Sequence, residues 1–203
     1  IRLDRTVRTD SNAFARGISE EAYRELADDP NQPLFFLAVS GMYPSGSTFK
    51  PFVASAALAE HIITPSTSFL SVGGLRVGQW FFPDWKAGGH GVTDVRKAIA
   101  ESVNTFFYTI GGGYDQFAGL GLGRIVSYAR LFGFGTRTGI EETNEAEGFL
   151  PSEEWKMREK GEPWYIGDTY HLAIGQGDIL VTPIQMAAAT SAIANGKSWV
   201  TPT

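Results

Sequence analysis

Ser47-Thr48-Phe49-Lys50 sets a hydroxyl and an amine three residues apart. On a helix such residues lie about 60° apart around the axis, so the amine reaches the hydroxyl. A serine hydroxyl is a poor nucleophile until a base takes its proton. An amine is such a base only when burial or a neighbouring cation lowers its pKa toward neutrality. Ser47 also falls at the expected start of a helix, where the dipole and free N–H groups favour a developing negative charge. The chemistry this pair suits is nucleophilic attack through a covalent intermediate. Alone the pattern is weak, because a capping serine followed by a solvated lysine reads the same. Ser102-Val103-Asn104 adds a second hydroxyl, which can pass a proton to a leaving amine, and an amide that can hold substrate and lysine. By itself it too reads as a capping serine beside a turn asparagine.

These residues need elements to hold them. A helix is predicted over 47–60, with Phe49, Phe52, Val53, Ala56 and Ala57 on its buried face. Residues 93–109 read as a helix, a turn and the start of another helix. A short helix over 19–29 has Ser19 as N-cap, Glu20 and Glu21 in its first turn and Asp29-Pro30-Asn31 as its stop. Another spans 123–132, closed by Gly133-Phe134-Gly135. The last spans 183–194, with Thr182 as cap, Pro183 at the first position and Asn195-Gly196 as its end. The clearest strand signal is 74–82, a hairpin arm around Gly78. Helices dominate, and a sheet is needed to complete the fold, much of it outside these residues.

Composition narrows the classes. At 203 residues, with 43% hydrophobic and 19% charged residues, the chain suits one folded domain. A net charge of −5, with no basic run, argues against a nucleic-acid partner. There is no cysteine, which excludes disulfides and thiolate metal sites. His61, His90 and His171 lack ligand spacing and read as scattered surface or loop residues; no metal or cofactor is expected. No apolar run approaches the roughly 18 residues of a membrane span. The chain opens on Ile1 and stops at Thr203 in mid-pattern, so it reads as part of a longer protein.

Tyr43-Pro44-Ser45-Gly46-Ser47-Thr48-Phe49-Lys50-Pro51 resembles the nucleophile segment of class B penicillin-binding proteins. Asp84-Trp85-Lys86-Ala87-Gly88-Gly89-His90-Gly91 and Ala100-Glu101-Ser102-Val103-Asn104-Thr105 resemble the stretch around that family's second motif. Phe132-Gly133-Phe134-Gly135, Leu150-Pro151-Ser152-Glu153-Glu154-Trp155-Lys156 and Ile174-Gly175-Gln176-Gly177 follow in the expected order. The resemblance covers 10–203, and the stretches at 150–156 and 164–182 favour the elongation subgroup. It implies an α+β (α/β sandwich) penicillin-binding/serine β-lactamase-like transpeptidase fold. It implies Ser47 as acylated nucleophile, Lys50 as its base, Ser102 as proton relay and Asn104 as ligand of the substrate amide. The backbone N–H of Ser47 would form half of an oxyanion hole.

The implied activity is a peptidoglycan D,D-transpeptidase that crosslinks stem peptides and is acylated by β-lactam antibiotics. The alternatives are a β-lactam-binding sensor and a serine β-lactamase. Implied partners are a polytopic membrane glycan polymerase and elongation-complex proteins, reached through regions outside this chain. The implied location is the outer (periplasmic) face of the bacterial cytoplasmic membrane, with an anchor outside this chain. Three features depart from the pattern. Ser45 stands where the family usually has proline. Residues 1–9 match nothing expected ahead of Asp10 and are left unassigned, a remote segment being one origin. The third motif, Lys-(Ser/Thr)-Gly, is absent and expected beyond Thr203; Gly196-Lys197-Ser198-Trp199 lacks its glycine, so Lys197 reads as a surface-loop residue.

Overall fold

The computed structural model describes residues 14–196, apart from 16 and 31, together with 201–202. Residues 1–9 and Lys197 lie outside the described residues. A 3-10 turn, Gly46–Phe49, leads directly into helix α3, Lys50–Ala59, with proline in its first turn where no N–H is needed. Before them come α1, Glu20–Ala27, and the short α2, Leu37–Ser40. Ser19 caps α1 by accepting from the Ala22 N–H at 3.2 Å. All five residues expected on the inner face of α3 are buried, and so is Lys50.

Four short strands follow: β1 Ser68–Ser71, β2 Gly74–Val77, β3 Trp80–Pro83 and β4 Gly91–Asp94. β2 and β3 form the expected hairpin, with Val77 opposite Trp80. Gly78 takes φ 58° in its two-residue loop, a backbone that suits the right-handed twist of a hairpin. β1 pairs antiparallel with β4, Ser68 opposite Asp94. Asp94 then caps α4, Val95–Ala100, accepting from the Lys97 N–H at 2.8 Å.

The centre of the molecule is α5, Asn104–Gly112, buried continuously from Thr105 to Gly111. A helix that is apolar all round must be enclosed on every side. It packs on α3, on α6, Gly121–Leu131, and on α8, Ile166–Ala173. The approach to α8 is close: a Cβ at Gly111 would strike Ala173, and one at Gly112 would strike the Tyr170 ring. Phe49, Phe52, Phe132 and Phe134 interlock beside α3, with the Phe52 and Phe134 centroids 5.0 Å apart in an edge-on pair. The remaining helices are α7, Glu153–Lys160, and α9, Pro183–Asn195.

Helices α7 and α8 have no counterpart in the periodicity reading, and α6 starts two residues earlier than expected. In α9, Thr182 and Gln185 form a reciprocal capping box, and Gly196 ends the helix at φ 61°. The Gln185 amide donates to the carbonyls of Thr136 and Glu147 at 2.7 and 2.8 Å, so Gln185, Ala188 and Ala189 face inward. Ile184 and Ser191 are half-buried, and Ala187 is exposed.

Candidate active site

The turn that presents Ser47 is fixed from behind. Tyr43 and the 179–181 stretch form a two-bond antiparallel bridge, Tyr43 N–H to Val181 O and Val181 N–H to Tyr43 O, both at 2.9 Å. Gly46 adopts φ 56° and donates its N–H to Gly175 O at 2.6 Å. Ser45 has φ −66°, the value proline would impose, so the departure from the family pattern leaves the backbone unchanged. The Thr48 hydroxyl donates to Ser45 O at 2.6 Å, closing the turn. Ser47 is exposed at the start of the helical run, and Lys50, one turn on, is 1% exposed.

All three donors of the Lys50 ammonium have named acceptors. They are Ser102 O at 2.8 Å, Ser102 Oγ at 3.0 Å and Asn104 Oδ1 at 2.6 Å. The Phe107 ring lies 5.4 Å from Nζ. Burial lowers the Lys50 pKa to about 8, although the Asp84 charge pulls it upward. At pH 7 about a tenth of such an amine is neutral and able to take a proton. Lys50, Ser102 and Asn104, three of the four residues singled out from sequence, are therefore placed together by α3 and by the turn between α4 and α5, and Ser47 lies on the 3-10 turn that leads into α3.

Ser102 reaches Lys50 with both its carbonyl and its hydroxyl because its φ is 55°, a left-handed backbone uncommon for serine. The helix that follows is anchored by Asp84. Its carboxylate accepts the Thr105 N–H at 2.9 Å, the Thr105 hydroxyl at 2.9 Å and the Trp85 N–H at 2.8 Å. Burial pushes the Asp84 carboxyl up, but these donors outweigh it and hold it below its usual range.

Of the histidines expected on the surface or in loops, His61 and His171 are exposed, and His90 lies on a loop but is turned inward. His90 is buried; its Nδ1 lies 2.7 Å from Glu101 Oε2 and its Nε2 faces Asp84 Oδ1 at 3.5 Å. The reason is local. The glycine-rich 84–91 loop folds its own imidazole inward against the turn after α4 instead of releasing it to solvent. Asp84, His90, Glu101 and Thr105 carry no spacing signal of their own in one sequence, and chain neighbourhood alone does not bring 84–90 against 101–105.

The chain matches the model of the penicillin binding protein transpeptidase domain over residues 9–203 and belongs to that family. Its fold is the helix-rich penicillin-binding transpeptidase fold with short sheets. Within the family it is similar to the peptidoglycan D,D-transpeptidase MrdA of Haemophilus influenzae, 41% identical over 95% of this chain and 29% of that protein. It superimposes on Pseudomonas aeruginosa PBP2, solved in complex with WCK 5153, with a TM-score of 0.83 at 36% identity, covering 92% of this chain and 40% of that one. Helicobacter pylori PBP2 in complex with MreC gives a TM-score of 0.81 at 37% identity, over 92% of this chain and 34% of that one. The chain thus spans less than a third of the length of the curated relative.

Proposed function

We propose that the protein carrying this chain is a peptidoglycan D,D-transpeptidase of the elongation type, working through an acyl-enzyme on Ser47. The observation that carries this reading is the Lys50 amine: buried, lowered to a pKa of about 8, and ringed by Ser102 and Asn104 one helical turn from an exposed serine. Neutral Lys50 takes the Ser47 proton as Oγ bonds to the substrate carbonyl carbon. The Ser47 backbone N–H meets the oxyanion as one of its donors. When the tetrahedral intermediate collapses, the C–N bond breaks and the Ser102 hydroxyl relays the proton from Lys50 to the departing amine. The acceptor amine of a second stem peptide then attacks the ester carbonyl carbon, the C–Oγ bond breaks as the new C–N bond forms, and the amine proton returns along the same route to Ser47 Oγ. Asn104 holds the substrate amide while its Oδ1 fixes Lys50. A β-lactam enters the same first step, but its ring nitrogen stays tethered after the C–N bond opens.

The names of the relatives support this substrate class, and the H. pylori PBP2 solved in complex with MreC supports a protein partner; a place in the elongation complex at the outer face of the cytoplasmic membrane follows from the proposed activity. Among the described residues no helix is long and apolar enough to cross a membrane. The test is to label the full-length protein with a fluorescent penicillin and map the adduct. The label is expected on the peptide containing Ser47 and absent in Ser47→Ala; label retained in that variant would falsify the assignment. Fast release of hydrolysed penicillin would identify a β-lactamase instead.

A further inference from the structure

The 101–104 turn is an unusual piece of backbone to leave unsupported. It carries three of the groups that hold Lys50, and its Ser102 sits at φ 55°, a conformation that persists in a non-glycine residue only when its surroundings fix it. Its backbone N–H groups bond back to α4, Glu101 to Lys97 O, Ser102 to Ile99 O and Val103 to Ala98 O, and its further supports come from one loop. Asp84 binds the amide of Thr105, the Trp85 indole N–H donates to Glu101 O at 3.1 Å, and the His90 imidazole binds the Glu101 carboxylate at 2.7 Å. His90 is itself held in place. Its ring is packed edge-on against Trp85 with centroids 5.2 Å apart, and its carbonyl accepts from Lys97 Nζ at 2.6 Å.

His90 Nε2 is the one buried side-chain nitrogen or oxygen among the described residues without a hydrogen-bond partner, and it faces Asp84 Oδ1. A buried imidazole placed between two carboxylates, one of them adjacent in sequence to Ser102, is costly as mere core packing. The bond also acts on Glu101, whose carboxyl is held below its usual range chiefly by His90, despite a side chain 42% exposed. We propose that His90 is a positioning residue for the acyl-transfer site: through Glu101 it fixes the turn that aims the Ser102 carbonyl and hydroxyl and the Asn104 amide at Lys50. The inference rests on the transpeptidase reading above. His90 touches neither substrate nor Lys50, and it acts only through the backbone it restrains.

The experiment measures the rate of acylation by a fluorescent penicillin in the full-length protein, with wild type, His90→Ala, His90→Asn, Glu101→Ala and the His90→Ala/Glu101→Ala double variant. Loss of a positioning contact costs on the order of 10–100-fold in rate when reacting groups shift by an ångström. His90→Ala and Glu101→Ala are each expected to lose that much. The double variant should be no slower than the worse single one, because both remove one contact. His90→Asn, which keeps a donor where Nδ1 lies, should recover most of the rate; a merely structural loss would not be rescued this way. Should His90→Ala fail to fold, Glu101→Ala reads the same contact from a partly exposed side chain. Wild-type rates in Glu101→Ala, additive losses, or an asparagine variant no better than alanine would each overturn the proposal. An unlabelled wild-type protein would instead remove the transpeptidase reading beneath it.

Discussion

Lys50 Nζ and Asn104 Oδ1 stand 2.6 Å apart, the shortest of the three contacts that hold the buried amine. The amide oxygen accepts from the charged form of lysine while burial opposes that form, and burial wins, leaving a pKa of about 8. Acylation should follow the neutral amine. Its rate is expected to rise about tenfold per pH unit below 8 and to level off above it. Lys50→Arg should be slower by three orders of magnitude or so at every pH, since a guanidinium keeps its proton. A flat pH profile between 6 and 9 would mean another group is the base.

The same balance has a consequence for stability. The native pKa of Lys50, about 8, lies below the ordinary value of 10.5, so the native state gives up the proton first. Between those two values the unfolded chain binds more protons, and stability from this group grows as pH rises through that window. Below pH 8 both states are protonated and the contribution is constant. Compared with Lys50→Met, which has nothing to titrate there, wild type should gain ground from pH 8 to 10 in denaturant melts. Parallel curves for the two proteins would contradict the burial argument.

Asn104→Asp is nearly isosteric and replaces a neutral acceptor with a charged one. An anion at that distance favours the ammonium, adding to the pull of Asp84. The acylation midpoint should therefore move up by at least one pH unit, and the plateau at high pH should fall as well, because Asn104 also holds the substrate amide. Rate measurements from pH 6 to 10 separate the two effects. An unmoved midpoint would show that Asn104 does not govern the proton on Lys50.

Much of this arrangement was readable from residues alone, and what was not has physical reasons. The inner face of α3 was legible because Phe49, Phe52, Val53, Ala56 and Ala57 are apolar at helical spacing and all are buried. α7 escaped notice because it has no apolar stripe: its one buried residue is Lys156, paired with Asp168 at 2.6 Å. Yet its ends carry every helix signal, with Ser152 as cap, acids in the first turn, Arg158 and Lys160 in the last, and Gly161 at φ 69°. Local chemistry marked it where periodicity could not. In the site, type and spacing alone leave Ser47, Lys50, Ser102 and Asn104 ambiguous with helix caps and a turn, and it is the family resemblance that singles them out. The burial of His90 on its loop has no sequence signal, because it depends on that loop packing against a turn 11 residues away, which no local pattern reports.

Phe134 tests the packing that backs the nucleophile helix. It is 0% exposed and meets Phe49 and Phe52 edge-on, with centroids 5.5 and 5.0 Å away. Phe134→Ala removes a fully buried ring and should cost about 3–5 kcal/mol of unfolding free energy. The variant is expected to melt several degrees lower while its acylation midpoint stays near pH 8, because none of the Lys50 contacts involves it. A shifted midpoint with unchanged melting would reverse the roles assigned here.

Gly175 ties the far side of the site to the nucleophile. Its φ of 69° is strained for any other residue, and a Cβ there would run into the carbonyl of Gly46 and lie 2.6 Å from Ser45 Oγ and 2.8 Å from Phe49 Cβ. The Ser45 hydroxyl can rotate away, but the Gly46 carbonyl is backbone of the turn and Phe49 Cβ is fixed in the core. Relief can come only from displacement of the 45–49 segment, which carries Ser47, or of the 174–177 loop that accepts the Gly46 N–H. Gly175→Ala should therefore lower stability by about 1–3 kcal/mol and slow acylation by roughly 10²-fold. The acylation midpoint should hold, since none of the three acceptors of Lys50 touches Gly175. Melting curves and penicillin acylation rates on the same preparation check both parts. A variant that melts lower yet acylates at the wild-type rate would show that the Gly46–Gly175 contact supports the fold without aiming Ser47.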